Sequence, residues 1–289
     1  MNYTRWVASG LAIAALCLLG PAAPSAEGIP WHGTLEAALA TARESGKLVL
    51  VDFYADWCEP CKMLEQQTFP APDVVKAAEA YEAVRVDVDR RPDLAMRYAV
   101  EGIPNIVFLN AAGEPLHGIV GYYPPGPFAD VLSAAARLGQ QLAALKNAPD
   151  DPGANYVVAM TYLDLGRHAD ARPLFAKVLE AARPQGVRDP KERLQTRDLR
   201  MEAEVGYAAC VAVGQQPRKG IKRLQAFLKR NPSSPHAPLA KWHIAVGYFM
   251  LEQYARTLAC GEQLVRQYAD SPWAERAKPL MERAGELAR

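Results

Sequence analysis

Apolar runs of strand length recur through the first half of the chain, at Leu48 to Phe53, Ala83 to Val88 and Ile106 to Leu109. Stretches of helical character separate them at Thr34 to Ser45, Cys61 to Gln67, Pro72 to Tyr81 and Arg91 to Tyr98. Strands alternating with helices predict an α/β layer fold, because each sheet face must be covered by the helices that connect it. Gly113 is expected to turn a hairpin into Pro115 to Gly121, and Phe128 to Leu138 reads as the closing helix. In the first run Leu48, Leu50, Val51 and Phe53 make both faces apolar. The single acid in that run, Asp52, is therefore expected to be buried with a raised pKa, the alternative being a strand-edge carboxylate in solvent.

Beyond about residue 150 the strand signals stop and small residues recur twelve apart: Ala159 and Ala171, Ala208 and Gly220, Gly247 and Ala259. A proline follows each pair, at Pro184, Pro232 and Pro272. This is the spacing of tetratricopeptide helix pairs, in which small residues let two helices approach and proline ends the unit. Ala159-x-x-Tyr162 and Ala171-x-x-x-Phe175 fit that pattern best. The reading is three degenerate repeats with a last helix from Ser271, the polar stretch Gln185 to Asp198 lengthening the first connection; a non-repetitive helical bundle is the alternative.

Charge divides the chain at the same place. Residues 1–151 hold 11 Lys and Arg against 18 Asp and Glu, net −7, and residues 152–289 hold 22 against 14, net +8. The overall +1 hides two opposed halves, which could dock on each other or leave the basic helices to hold an acidic protein partner. The basic residues are dispersed over helical surfaces, a poor match to a nucleic-acid interface, and no nucleic-acid partner is expected.

At the N-terminus Arg5 precedes an apolar stretch from Val7 to Leu19, and small residues with Pro21 and Pro24 follow. That order reads as a secretory signal peptide over residues 1–26, cut near Ala23 to Ala26. The stretch is shorter than the ~20 residues that span a bilayer, which disfavours an uncleaved anchor. Cys17 follows Leu16 rather than a small residue, which disfavours a lipoprotein cut. Export would place the chain in an oxidising compartment, periplasmic or secreted.

The residues richest in chemistry are Trp57-Cys58-Glu59-Pro60-Cys61-Lys62, directly behind the first apolar run. Two cysteines spaced by two residues on a first helical turn can close a disulfide, and a helix N-terminus favours a thiolate at Cys58. A zinc half-site would need a second ligand pair, but Cys210 and Cys260 are far apart and no histidine cluster helps. Haem attachment would need His where Lys62 stands. A purely structural disulfide stays open. Cys210 and Cys260 fall at helix positions and read as small buried hydrophobes rather than a second redox pair.

Val51-Asp52-Phe53-Tyr54-Ala55-Asp56-Trp57-Cys58-Glu59-Pro60-Cys61-Lys62, followed by Glu101-Gly102-Ile103-Pro104-Asn105, resembles the thioredoxin superfamily. Ala55-Asp56-Trp57-Cys58 with Lys62-Met63-Leu64-Glu65 and Thr68-Phe69 is most similar to the C-terminal domain of the membrane thiol:disulfide interchange protein DsbD and its secreted relatives. The resemblance runs from Trp31 to Leu138. It implies that Cys58 attacks, Cys61 resolves, Asp52 is the buried acid that relays a proton, and Pro104 is a cis-proline facing the cysteines. Trp57, Ile103 and Pro104 would contact an extended substrate chain. Two positions depart from the pattern. Asn105 replaces a frequent Thr, and Arg85 stands where a buried Lys is frequent; Arg does not give up its proton.

The expectation is thus an α/β thioredoxin fold, a central mixed sheet flanked by helices, over residues 27–145, followed by an all-α tetratricopeptide-like domain over 152–289. The resemblance implies a thiol:disulfide oxidoreductase, favoured in the reducing direction. Its cysteines would serve in place of any cofactor or metal. Its partners would be protein thiols and disulfides, with a possible membrane electron donor of the DsbD type. The rival is a repeat scaffold whose thioredoxin fold is mainly a binding module.

Overall fold

In a computed structural model that describes residues 28–183 and 185–289, the apolar run at Leu48 becomes the central strand of a five-stranded sheet. The expected signal peptide and Pro184 lie outside the described residues. The strands are β1 (Trp31–His32), β2 (Leu48–Tyr54), β3 (Tyr81–Asp87), β4 (Asn105–Leu109) and β5 (Pro115–Val120), in spatial order β1-β3-β2-β4-β5. β3 runs parallel to β1 and β2, while β4 runs antiparallel to β2 and β5, which makes the sheet mixed. β2 has neighbours on both edges and is buried through five of its seven residues. That position accounts for its continuous hydrophobicity.

Alternate β2 residues feed two separate cores. Val49, Val51 and Phe53 pack with α1 (Leu35–Ser45) and α4 (Pro92–Arg97) through Leu35, Leu39 and Leu94. Leu50 packs on the other face with α3 (Pro72–Ala78) and α5 (Pro125–Asn147) through Val74, Phe128 and Leu132. Thr34 caps α1 by accepting from the Ala37 N–H at 3.1 Å, and Gly46 ends the helix at φ 73°, a left-handed conformation that glycine adopts without steric cost. Behind β2 the chain forms α2 (Glu59–Met63), which passes directly into a π-helical turn at Leu64–Thr68.

Several boundaries differ from the sequence reading. Tyr81 opens β3 rather than ending the preceding helix; its ring packs on Phe108 and its hydroxyl donates to the Leu132 carbonyl at 2.5 Å. α5 runs nine residues beyond Leu138 to Asn147, and β1 is a strand of only two residues.

Seven helices follow: α6 (Pro152–Asp164), α7 (His168–Ala181), α8 (Pro190–Val213), α9 (Pro217–Arg230), α10 (Ala237–Met250), α11 (Tyr254–Gln267) and α12 (Pro272–Leu287). Each packs on the next, and α6 also packs on α5, where the Thr161 hydroxyl donates to Gln141 Oε1 at 2.7 Å. The stretch at Gln185 is mostly helix, because Asp189 caps α8 by accepting from the Lys191 N–H. Ala159, Ala171, Ala208 and Gly220 are all buried at helix contacts. A Cβ on Gly220 would lie 2.2 Å from the Ala212 backbone nitrogen, so that position tolerates only glycine. The third pair is corrected. Ala259 is exposed, and Thr257 takes the inward place, donating to the Ala245 carbonyl at 3.4 Å. Ala245 and Thr257 are also twelve apart, but Thr257 is β-branched and hides the signal. Among the described residues no helix is long and apolar enough to cross a membrane.

Candidate active site

β2 ends at Tyr54 and the chain turns through Ala55 to Trp57 before α2 begins, which sets Cys58 at the N-cap of that helix. Pro60 lies in the first turn, where its missing N–H costs no helical hydrogen bond. Cys58 Sγ accepts the Cys61 N–H at 3.2 Å, and the Cys58 N–H donates to the Ala55 carbonyl at 3.1 Å. Cys58 and Cys61 are joined in a disulfide, with Cα atoms 5.3 Å apart. Both are buried, packed with Ala55 against Tyr54, Val88 and Ile103. Trp57 stands beside them 68% exposed, its indole N–H donating to Asp89 Oδ2 at 2.8 Å.

The Ile103-Pro104 peptide is cis, and the Pro104 carbonyl accepts the Gly121 N–H at 2.8 Å. Ile103 touches the cysteine cluster, so the loop before β4 and the start of α2 form one surface. Among the described residues neither the N–H nor the carbonyl of Ile103 has a backbone partner. Asn105, the departure from the family pattern, is the first residue of β4 and is buried.

Asp52 shares the sheet face of Leu50, the face that α3 and α5 cover. It is 1% exposed, and burial lifts its pKa to about 6 against the opposing pull of Arg85. The register places Arg85 of β3 opposite Asp52, where Arg85 Nε donates to Asp52 Oδ2 at 3.0 Å. Among the described residues, Asp52 Oδ1 is buried without a hydrogen-bond partner. The guanidinium lies over the Tyr54 ring at 4.1 Å, and its Nη1 reaches Glu65 Oε1 at 3.0 Å. Glu65 belongs to the π turn, a backbone irregularity that often marks functional sites. The sequence reading gave Glu65 only as part of the family motif, with no role of its own, and did not name Asp89. Both are polar residues whose roles depend on partners distant in the chain, 20 residues from Arg85 and 32 from Trp57.

The six residues singled out from the sequence therefore occupy one end of the sheet. Cys58, Cys61 and Pro104 are buried there, Ile103 is half-buried and Trp57 exposed, and Asp52 is buried within β2. Cys210 and Cys260 lie in the helical region as free thiols, Cys210 buried with its thiol pushed up to about 12. Among the described residues no group of three His, Cys, Asp or Glu side chains is placed to hold a metal.

Residues 30–111 match the thioredoxin-like family. The thiol:disulfide interchange protein DsbD of Vibrio cholerae is 39% identical over 105 residues, 34% of this chain and 18% of that protein. The thiol:disulfide interchange protein DsbD 1 of Pseudomonas aeruginosa is 42% identical over 84 residues, 28% of this chain and 14% of that protein. The oxidised C-terminal domain of DsbD from Neisseria meningitidis is 29% identical, covering 33% of this chain and 87% of that chain with a TM-score of 0.30. The chain spans less than a fifth of the length of the curated relatives it matches. It carries a thioredoxin-like domain with DsbD-like relatives, followed by a largely helical region.

Proposed function

We propose that the chain is an exported, periplasmic thiol:disulfide oxidoreductase that works in the reducing direction on protein disulfides. One observation carries the reading: a Cys58–Cys61 disulfide at a helix N-cap, beside the cis Ile103-Pro104 peptide. In the reduced protein the Cys58 thiolate, favoured by the helix N-terminus, attacks one sulfur of a substrate disulfide. A mixed disulfide forms, and the first substrate sulfur leaves as a thiolate that takes a proton from solvent. Asp52 accepts the Cys61 proton, and Cys61 Sγ attacks Cys58 Sγ. The Cys58–Cys61 disulfide closes and the second substrate sulfur leaves. The substrate gains two electrons, and the cysteine pair is left oxidised.

The unpartnered backbone of Ile103 would pair with the extended substrate chain beside the sulfurs, and Trp57 would cover it. A membrane thiol donor of the DsbD type would return the two electrons. The helices from Pro152 to Leu287 would form a tetratricopeptide-like unit that docks the protein partner. The test is catalysed reduction of insulin by dithiothreitol, followed by turbidity. The wild type should accelerate it, and Cys58→Ser should return it to the uncatalysed rate. A Cys58→Ser protein as active as wild type would overturn the reading.

A further inference from the structure

A cavity of about 640 Å³ opens between α7, α8 and α9, within the roughly 300–1,000 Å³ range of ligand sites. Its charged lining is Arg172, Lys219 and Arg223, with no acid. All three are exposed, and among the described residues none forms an ion pair. Other cations of the same helical region, Arg167, Arg230 and Arg276, are paired with Asp170, Glu204 and Asp164. Three unpaired cations on one concavity create a positive potential that no internal carboxylate quenches.

The cavity continues lengthwise. A second, of about 180 Å³, shares Tyr207 and Arg223 with the first and adds Glu204, which is already paired with Arg230, and Arg223 is held over the Tyr207 ring at 5.1 Å. The three cations come from two helices, α7 and α9, on either side of Tyr207 and Cys210 of α8. The shape fits a chain that carries charge at intervals, and Gln215 and Gln216 on the rim can donate to its backbone carbonyls.

We propose that this groove binds an extended acidic polypeptide segment of a partner protein. The inference rests on the reading that the helical region docks protein partners, and it gives that docking a place and a charge. Association should weaken steeply with salt, since exposed charges are screened over about 8 Å at physiological ionic strength.

The experiment uses the full-length protein and measures fluorescence anisotropy of a labelled octaglutamate peptide, with octaglutamine as the neutral control. Octaglutamate should bind and octaglutamine should not. The triple variant Arg172→Gln, Lys219→Gln, Arg223→Gln should weaken binding by about tenfold or more. The variant Lys191→Gln, Arg193→Gln, Arg197→Gln, which removes the same charge from the start of α8, should change it by less than about threefold. Circular dichroism and reduction of Ellman's reagent check that both variants fold. Equal losses in the two variants would overturn the proposal in favour of diffuse charge. Tighter binding of tripolyphosphate than of octaglutamate would overturn it in favour of a free anion. Capture by phosphatidylglycerol vesicles without peptide binding would overturn it in favour of a membrane surface. Absence of peptide binding with insulin reduction intact removes the groove alone and leaves the oxidoreductase reading standing.

Discussion

Arg85 Nε donates to Asp52 Oδ2 at 3.0 Å, yet Asp52 has its pKa raised to about 6. An adjacent guanidinium ordinarily pulls a carboxyl below its free value. Here burial outweighs it, and Glu65 takes part of the Arg85 charge at 3.0 Å. Under the proposed function this buried acid would exchange a proton near neutral pH.

That pKa has a consequence for stability. The folded state holds the Asp52 proton to about pH 6, and the unfolded chain releases it near 3.8. The protonated group's contribution is therefore fully present below about pH 4 and is lost as pH rises through 6, a cost of about 3 kcal/mol. Asp52→Asn cannot ionise, so its stability relative to wild type should rise between pH 4 and 7. Urea unfolding at the two pH values measures this, and a pH-independent difference would contradict it. The same variant should slow the resolution step and flatten its pH profile.

Arg85→Gln and Glu65→Gln should move Asp52 in opposite directions. Removing Arg85 takes away the influence that lowers the pKa and should shift the profile for mixed-disulfide resolution to higher pH. Removing Glu65 leaves Arg85 to Asp52 alone and should shift it to lower pH by a smaller amount. Stopped-flow tryptophan fluorescence across pH 5 to 9 reads both, and shifts of one sign would disprove the shared-charge arrangement.

His243 produces the reverse pH dependence in the helical region. It is buried, both ring nitrogens lack hydrogen-bond partners among the described residues, and burial holds its pKa down to about 3. Its neutral form contributes stability above pH 6.5 that is lost as pH falls toward 3, at about 1.4 kcal/mol per pH unit. His243→Phe should melt higher than wild type at pH 4.5 and close to it at pH 7.5. Calorimetry at both values decides, and a wild-type advantage at acid pH would contradict the assignment.

Two glycine substitutions should have opposite signs. Gly220→Ala drives a Cβ into the Ala212 backbone and should cost several kcal/mol, since neither helix can shift without breaking its neighbours' packing. Gly285→Ala meets nothing within 4 Å inside α12 and should gain about 0.5–1 kcal/mol. Thermal denaturation of the two proteins checks both.

What the sequence disclosed and what it hid follow the range of the interactions. The Cys pair, Asp52 and Ile103-Pro104 were legible because contiguous residues carry them, and β2 announces itself through apolar residues on both faces. β1 was illegible because two residues carry no period. Tyr81 fits a helix end or a strand start equally well until Phe108 and Leu132 are placed around it. Glu65 and Asp89 matter only through partners on other elements. The third helix pair misled because two sets of residues satisfy the same spacing of twelve, and burial selects Thr257 over Ala259, while Ala245 and Gly247 are both buried.

The division of labour between the two cysteines is the central claim, and trapping tests it most directly. Cys61→Ser, incubated reduced with a disulfide-bonded protein substrate and analysed by intact mass, should accumulate an adduct through Cys58, because attack proceeds and resolution cannot. Cys58→Ser should accumulate none. An adduct on Cys61 in the Cys58→Ser protein, in yield equal to that on Cys58 in the Cys61→Ser protein, would contradict the account.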